Sequence, residues 1–255
     1  MTAEAATHVP APAPRPRRVA AQARFEAGIL ARNGEQLLVS LVLPALALVA
    51  LVASSYPDLA TPRIAVVAPG VLALAVVSTA FTGQAIQTAF DRRYGVLRML
   101  ATTPVGTDGL LAGKALAICA VAAVQLVVLG LVAAVMGWRP DLVGLLLAPV
   151  TAALGVWVFV ALALLVAGAM RAEAVLAVAN LVWVLLAGVG GLLLPAETLG
   201  SKAAVIVQWL PSAALGDAFR EQLAHGSVPF LPWLVLLVWG AGLSLLVMRT
   251  FRWRE

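Results

Sequence analysis

The chain alternates long apolar blocks with shorter polar ones. Six apolar blocks stand out, at about 37–55, 64–86, 112–136, 142–170, 175–194 and 230–248. About 20 residues at 1.5 Å rise cross a hydrocarbon core, so each block has roughly the length of a membrane-spanning helix. The first is short and carries Pro44. The fourth is long enough to tilt, or to bend near Pro149. All six are continuous and lack the two-residue alternation of a membrane barrel strand. The pattern predicts an all-α polytopic membrane protein with six transmembrane helices.

Two of the polar blocks are amphipathic. Val19 to Gln36 mixes Phe25, Ile29 and Leu30 with Arg24, Glu26, Arg32 and Glu35. It suits a helix lying in the membrane interface, apolar side in lipid and charges in water. The alternative is a solvated lead-in to the first span. The second block is Asp91 to Pro104. As a helix it places Tyr94, Leu97 and Leu100 or Ala101 on one side, with Arg92, Arg93 and Arg98 projecting elsewhere. Pro104 ends or bends it, and Gly106 with Asp108 makes a turn before the third span. Such a segment, held at the membrane surface, offers a soluble partner a place to push. Alternatively its arginines serve only to set topology. Residues 1–18 are Ala/Pro-rich, with no core-forming pattern, and read as a disordered tail.

Composition narrows the picture further. Hydrophobic residues make up 62% of the chain and charged ones 11%, against about a quarter charged in soluble domains. The net charge of +5 does not point to nucleic acid, because the charges flank the apolar blocks. Of the 17 Lys and Arg residues, all but Arg63, Arg139, Lys202 and Arg220 fall on one side of a six-span topology. That side is cytoplasmic by the positive-inside rule, which places both termini and the Asp91 loop in the cytoplasm. The first apolar block begins too far in for a secretory signal and reads as a retained span. Usage rich in Ala, Val, Leu, Arg and Gly suggests a GC-rich bacterial genome, and the expected location is the bacterial inner (cytoplasmic) membrane. The single cysteine, Cys119, lies in an apolar run and reads as a small buried hydrophobe.

Polar residues inside spans are costly and mark candidate sites. The second span carries Ser78, Thr79 and Thr82, with Gln84 and Gln87 following. The third carries Gln125, and the fifth carries Asn180 and Trp183, adjacent on a helix surface. The plainer alternative is that hydroxyls bond their own helix and amides join neighbouring helices. Trp138, Trp209 and Trp233 sit near span ends, as interfacial anchors do. Gly188-Val189-Gly190-Gly191 lies in an apolar span and suits a bend or close packing. No G-x-x-x-x-G-K-[ST] phosphate loop occurs. His8 and His225 lack companions at metal-ligand spacing, so no metal site is expected. No nucleophile–base constellation is visible either, so no enzyme activity is expected.

The order of these features resembles a known family. Pro69-Gly70 opens the second span; the loop reads Asp91-Arg92-Arg93-Tyr94-Gly95-Val96-Leu97, continuing to Thr102-Thr103-Pro104; Gly113-Lys114 opens the third span. This is similar to the ABC-2 type permeases, the membrane subunits of ABC exporters that include daunorubicin-type drug-resistance transporters. Trp209-Leu210-Pro211-Ser212, with Leu215-Gly216-Asp217-Ala218-Phe219-Arg220, resembles the segment between that family's last two spans. The likeness runs from about Arg24 to Arg249.

The resemblance implies a coupling helix over 91–104 that docks on a separate ATPase, with Asp91, Arg92, Arg93, Tyr94, Gly95, Leu97, Arg98, Thr103 and Pro104 as coupling residues. It implies a connecting helix over 19–36 and short outer-leaflet helices between 195 and 229. It implies two cytoplasmic ABC ATPase subunits, which bind ATP and Mg, and a second permease copy or a paralogue in contact with membrane lipid. No cofactor belongs to this chain. Ser78, Thr79, Thr82, Gln125, Asn180 and Trp183 become candidates for the substrate cavity. Many members carry an acidic residue just after the loop glycine, where this chain has Leu97 and Arg98, which implies a more acidic docking partner. The expected function is export of a hydrophobic or amphipathic substrate, drug or lipid-like. The alternative is a non-transporting scaffold or assembly factor that recruits a cytoplasmic partner through the basic loop.

Overall fold

A computed structural model of the chain describes residues 13–59, 61–96, 99 and 106–250. Among them there is helix and no strand. We number the helices α1 (Arg15–Arg32), α2 (Leu38–Ala53), α3 (Arg63–Arg93), α4 (Gly106–Val135), α5 (Leu142–Ala169), α6 (Ala172–Gly188), α7 (Ser201–Val207), α8 (Pro211–His225) and α9 (Phe230–Thr250). A turn of helix, Gly34–Leu37, leads into α2, and a 3-10 turn, Ala196–Leu199, precedes α7.

Four of the expected spans are helices long and apolar enough to cross a membrane: α3, α5 and α9, together with the Ala112–Val135 part of α4. The remaining two, α2 and α6, are apolar but shorter. The helix expected from Val19 begins at Arg15, because Pro16 falls in its first turn, where a missing N–H costs no hydrogen bond. The rest of the expected disordered tail, residues 1–12, lies outside the described residues.

The hub is α3. Of its apolar stretch 89% is buried by the protein itself, against 22% for α9. So α3 runs through the middle while α4, α5 and α9 turn one face to lipid. Local breaks follow from the sequence. The first turns of α2 widen to a π-helix over Leu38–Val42, next to Pro44, which cannot donate to the carbonyl of Ser40. At the far end of α2, Arg63 donates to the carbonyl of Leu51 (3.1 Å) and to that of Pro57 (2.7 Å). Asp141 caps α5, its Oδ1 accepting from the amides of Val143 and Gly144 (2.8 and 3.1 Å).

Two boundaries differ from expectation. The second span continues past 86 to Arg93, so Asp91, Arg92 and Arg93 form the last turn of α3 and do not open a separate helix. Gly95, at φ +72°, breaks the backbone just after them. The fifth span stops at Gly188 instead of 194. Residues 189–194 form a loop in which Gly190, Gly191 and Leu192 are buried, with Gly191 at φ +69°. A non-helical loop buried in protein needs partners for its carbonyls, and α8 supplies them. Ser212 Oγ donates to the Gly190 carbonyl (2.7 Å) and Arg220 Nη2 to that of Gly191 (2.7 Å), with Arg220 Nη1 reaching Leu192 (3.2 Å). The loop presses on α3 so closely that a Cβ on Gly70 would collide with the Leu193 carbonyl. The glycine cluster at 188–191 is therefore a bend.

Candidate functional site

At the end of the bundle that carries α1, three helices meet on buried charge. Gln22, Glu26 and Leu30 recur every four residues and form the buried stripe of α1. That stripe lies against α4, where Lys114 is only 6% exposed. Lys114 Nζ donates to Glu26 Oε2 and to Asp91 Oδ2, each at 3.1 Å. Gln22 Nε2 donates to Glu26 Oε1 (2.9 Å) and Gln87 Nε2 to Glu26 Oε2 (3.1 Å). One lysine thus serves two carboxylates, and α1, α3 and α4 are tied at one point. Burying these charges is costly, and removing one partner leaves the others uncompensated.

The neighbouring arginines are committed as well. Arg92 donates to the carbonyls of Gly168 (2.8 Å) and Met170 (2.6 Å), satisfying the C-terminal end of α5. Arg93 pairs with Glu173 in the first turn of α6 and lies over the Tyr94 ring, 5.8 Å from its centroid. The Tyr94 ring stacks on Phe90 at 6.0 Å and is 70% exposed. Leu97, Arg98, Thr103 and Pro104, expected in the same site, lie outside the described residues.

Deeper in the bundle the polar residues form a relay of hydrogen bonds. Thr79 Oγ1 donates to Gln125 Oε1 (2.7 Å), Gln125 Nε2 to Ser40 Oγ (2.8 Å), and Ser40 Oγ to the Gln36 carbonyl (2.6 Å). Gln36 Nε2 reaches the Ser78 carbonyl at 3.3 Å. Ser78 Oγ donates to the Leu74 carbonyl (2.7 Å) and accepts from Trp183 Nε1 (2.7 Å). The relay joins α2, α3, α4 and α6. Thr82 is buried beside it, and its hydroxyl has no protein partner. Asn180 is exposed on the outer face of α6, among Leu176, Leu181 and Val184.

A family model described as "ABC-2 family transporter protein" matches residues 54–249. The chain belongs to the ABC-2 transporter family. No curated protein matches it. As an ABC-2 permease it is an integral membrane protein and a transport component, of a family that works with ABC ATPase subunits.

The six intramembrane candidates of this permease divide in the structure. Ser78, Thr79, Gln125 and Trp183 are joined to one another or to neighbouring helices, Thr82 is enclosed, and Asn180 stands apart on the surface. Of the loop candidates, Asp91 turns inward to Lys114, Arg92 and Arg93 turn toward α5 and α6, and Tyr94 projects outward. Sequence reasoning missed Lys114 as the partner of Asp91, and Glu26, with its donors Gln22 and Gln87, as the second carboxylate on that lysine. The available signal was the four-residue spacing of Gln22 and Glu26 on α1, together with Lys114, the one basic residue of α4.

Proposed function

We propose that this permease is the membrane subunit of an exporter that moves a hydrophobic or amphipathic substrate, drug or lipid-like, out of the cytoplasm or inner leaflet. A separate pair of ABC ATPase subunits binds ATP and Mg and drives alternating access. Two permease copies, or one copy and a paralogue, enclose the pathway in a bacterial cytoplasmic membrane with both termini inside. The observation that carries this reading is the Glu26–Lys114–Asp91 tie. It lies a few residues before the loop on α3, and it joins that end of α3 to α1 and α4. A push on the loop from an ATPase is therefore delivered to three helices as one rigid unit, the two-state bias that alternating access requires.

Within the expected coupling segment we assign docking to Tyr94 and to the residues after Gly95, Leu97 and Arg98 through Thr103 and Pro104. We assign Asp91, Arg92 and Arg93 to holding that segment against the bundle. Of the cavity candidates, we assign Asn180 to the pathway wall, where a second copy would face it, and Ser78, Thr79, Gln125 and Trp183 to ties within the bundle, with Thr82 enclosed beside them.

The test is ATPase stimulation. The partner ATPase, reconstituted in lipid with this chain, is stimulated by wild type. Tyr94→Glu and Arg98→Glu lose binding and stimulation while the permease keeps its melting temperature. If both variants stimulate like wild type, the loop is no docking element and the exporter reading fails. If the chain binds the ATPase without stimulating it or moving substrate, the chain is a scaffold.

A further inference from the structure

A lateral groove of about 550 Å³ lies between α4 and α5, floored by Leu72 of α3 and by Phe219 and Leu223 of α8. Its volume is that of a small-molecule site. Along α4 it runs from Cys119 to Ala134, about 22 Å at 1.5 Å per residue, most of a hydrocarbon core about 30 Å thick. Small residues hollow it out, Ala123 and Gly130 on α4 and Ala148 and Ala152 on α5. The wall offers no charged side chain. A long, narrow, predominantly apolar trough at membrane depth has the shape and chemistry of a hydrocarbon chain.

The rim adds a charge. The groove ends at Trp138 and Pro140, and between them Arg139 is exposed. Its Nη1 donates to the carbonyls of Ala134 (3.2 Å) and Trp138 (3.1 Å), which holds the guanidinium at the groove mouth. No carboxylate among the described residues pairs with it, and the nearest in sequence, Asp141, is engaged in capping α5. An arginine with free N–H groups suits phosphate oxygens. We infer that the groove is a binding site for one acyl chain of a membrane glycerophospholipid, with its phosphate on Arg139. The inference does not depend on which substrate the protein transports.

The test uses the full chain in dodecyl maltoside micelles, which supply no phosphate, doped with phosphatidylglycerol that carries a diazirine midway along one acyl chain. After irradiation, adducts are mapped by peptide mass spectrometry. The expected result is enrichment on α4 between 119 and 134 and on α5 between 145 and 156, relative to the lipid-facing surface of α9. This labelling saturates with dose and is displaced by unlabelled phosphatidylglycerol. Ala123→Phe, which fills the trough, abolishes the enrichment. Arg139→Gln raises the half-saturating dose about tenfold, the scale of a lost charged hydrogen bond, whereas Arg139→Lys largely retains it. Matching gel-filtration and melting profiles show that the variants are folded. Uniform, non-saturating labelling around the bundle would overturn the site in favour of ordinary boundary lipid. Saturable labelling indifferent to Arg139→Gln would overturn the phospholipid assignment. Efficient bismaleimide linkage of Cys119 to Cys119 in membranes would show that a second copy covers the groove, and would also overturn it.

Discussion

Removing the positive charge at Lys114 tests the logic of the buried cluster. Lys114→Met keeps most of the side-chain volume but leaves Glu26 and Asp91 facing the same vacated point, with Gln22 and Gln87 the remaining donors to Glu26 among the described residues. Deleting one partner of a buried charge group costs about 3–5 kcal/mol. For a chain of this length each kcal/mol moves the melting temperature by about 2–4 °C, so the expected loss is about 6–20 °C. The assay is a thermal melt in mild detergent, read by the fraction surviving gel filtration. The triple variant Glu26→Gln/Asp91→Asn/Lys114→Met, which removes every charge, should recover most of the loss, because an uncharged cluster has no unpaired ion to desolvate. Acidification should also rescue the single variant in part. Protonating one carboxylate relieves the repulsion, so stability of that variant falls as pH rises. A single variant melting within about 2 °C of wild type, or a triple variant as unstable as the single, would refute the buried ion cluster.

Other consequences follow from individual contacts. Arg220→Met strands the carbonyls of Gly191 and Leu192 and should cost about 2–4 kcal/mol by the same melt; Arg220→Lys should rescue little, since one ammonium cannot reproduce the guanidinium's two-carbonyl reach. Gly70→Ala collides with the Leu193 carbonyl and should lower folded yield sharply, while Gly188→Ala, with open space at its Cβ, should melt within about 1 kcal/mol of wild type. Asp141→Ala removes the cap of α5 and should cost about 1 kcal/mol. Thr82→Val replaces a buried hydroxyl that lacks a protein partner with an isosteric methyl, so its melting temperature should hold or rise.

Arg92 shows why a loop charge cannot be assigned from sequence alone. Set between two apolar blocks, it looks like part of an exposed basic surface. Its guanidinium instead reaches the carbonyl end of α5, some 76 residues away in the chain. Reversing its charge would therefore unseat α5 and would mimic a docking defect, so Tyr94 is the better probe of docking.

The apolar blocks are local properties. Their lengths and continuity were enough to determine helices in a membrane, their approximate positions, and the motif order that marks the ABC-2 family. The glycine cluster at 188–191 pointed to a bend or to close packing without deciding between them, because glycine permits both. The sequence alone could not determine where helices stop when a distant group decides it. The fifth span ends early because Ser212 and Arg220 on α8 can satisfy the freed carbonyls, and α3 runs on to Arg93 because Lys114 neutralises Asp91. Nor could it determine which polar residues serve the bundle and which face outward. Thr79, Gln125 and Ser40 lie on three different helices, and only their packing shows that they share one relay. The groove between α4 and α5 is likewise a product of packing. Its small residues look like any others in the sequence, and become a trough only when α3 and α8 close its floor.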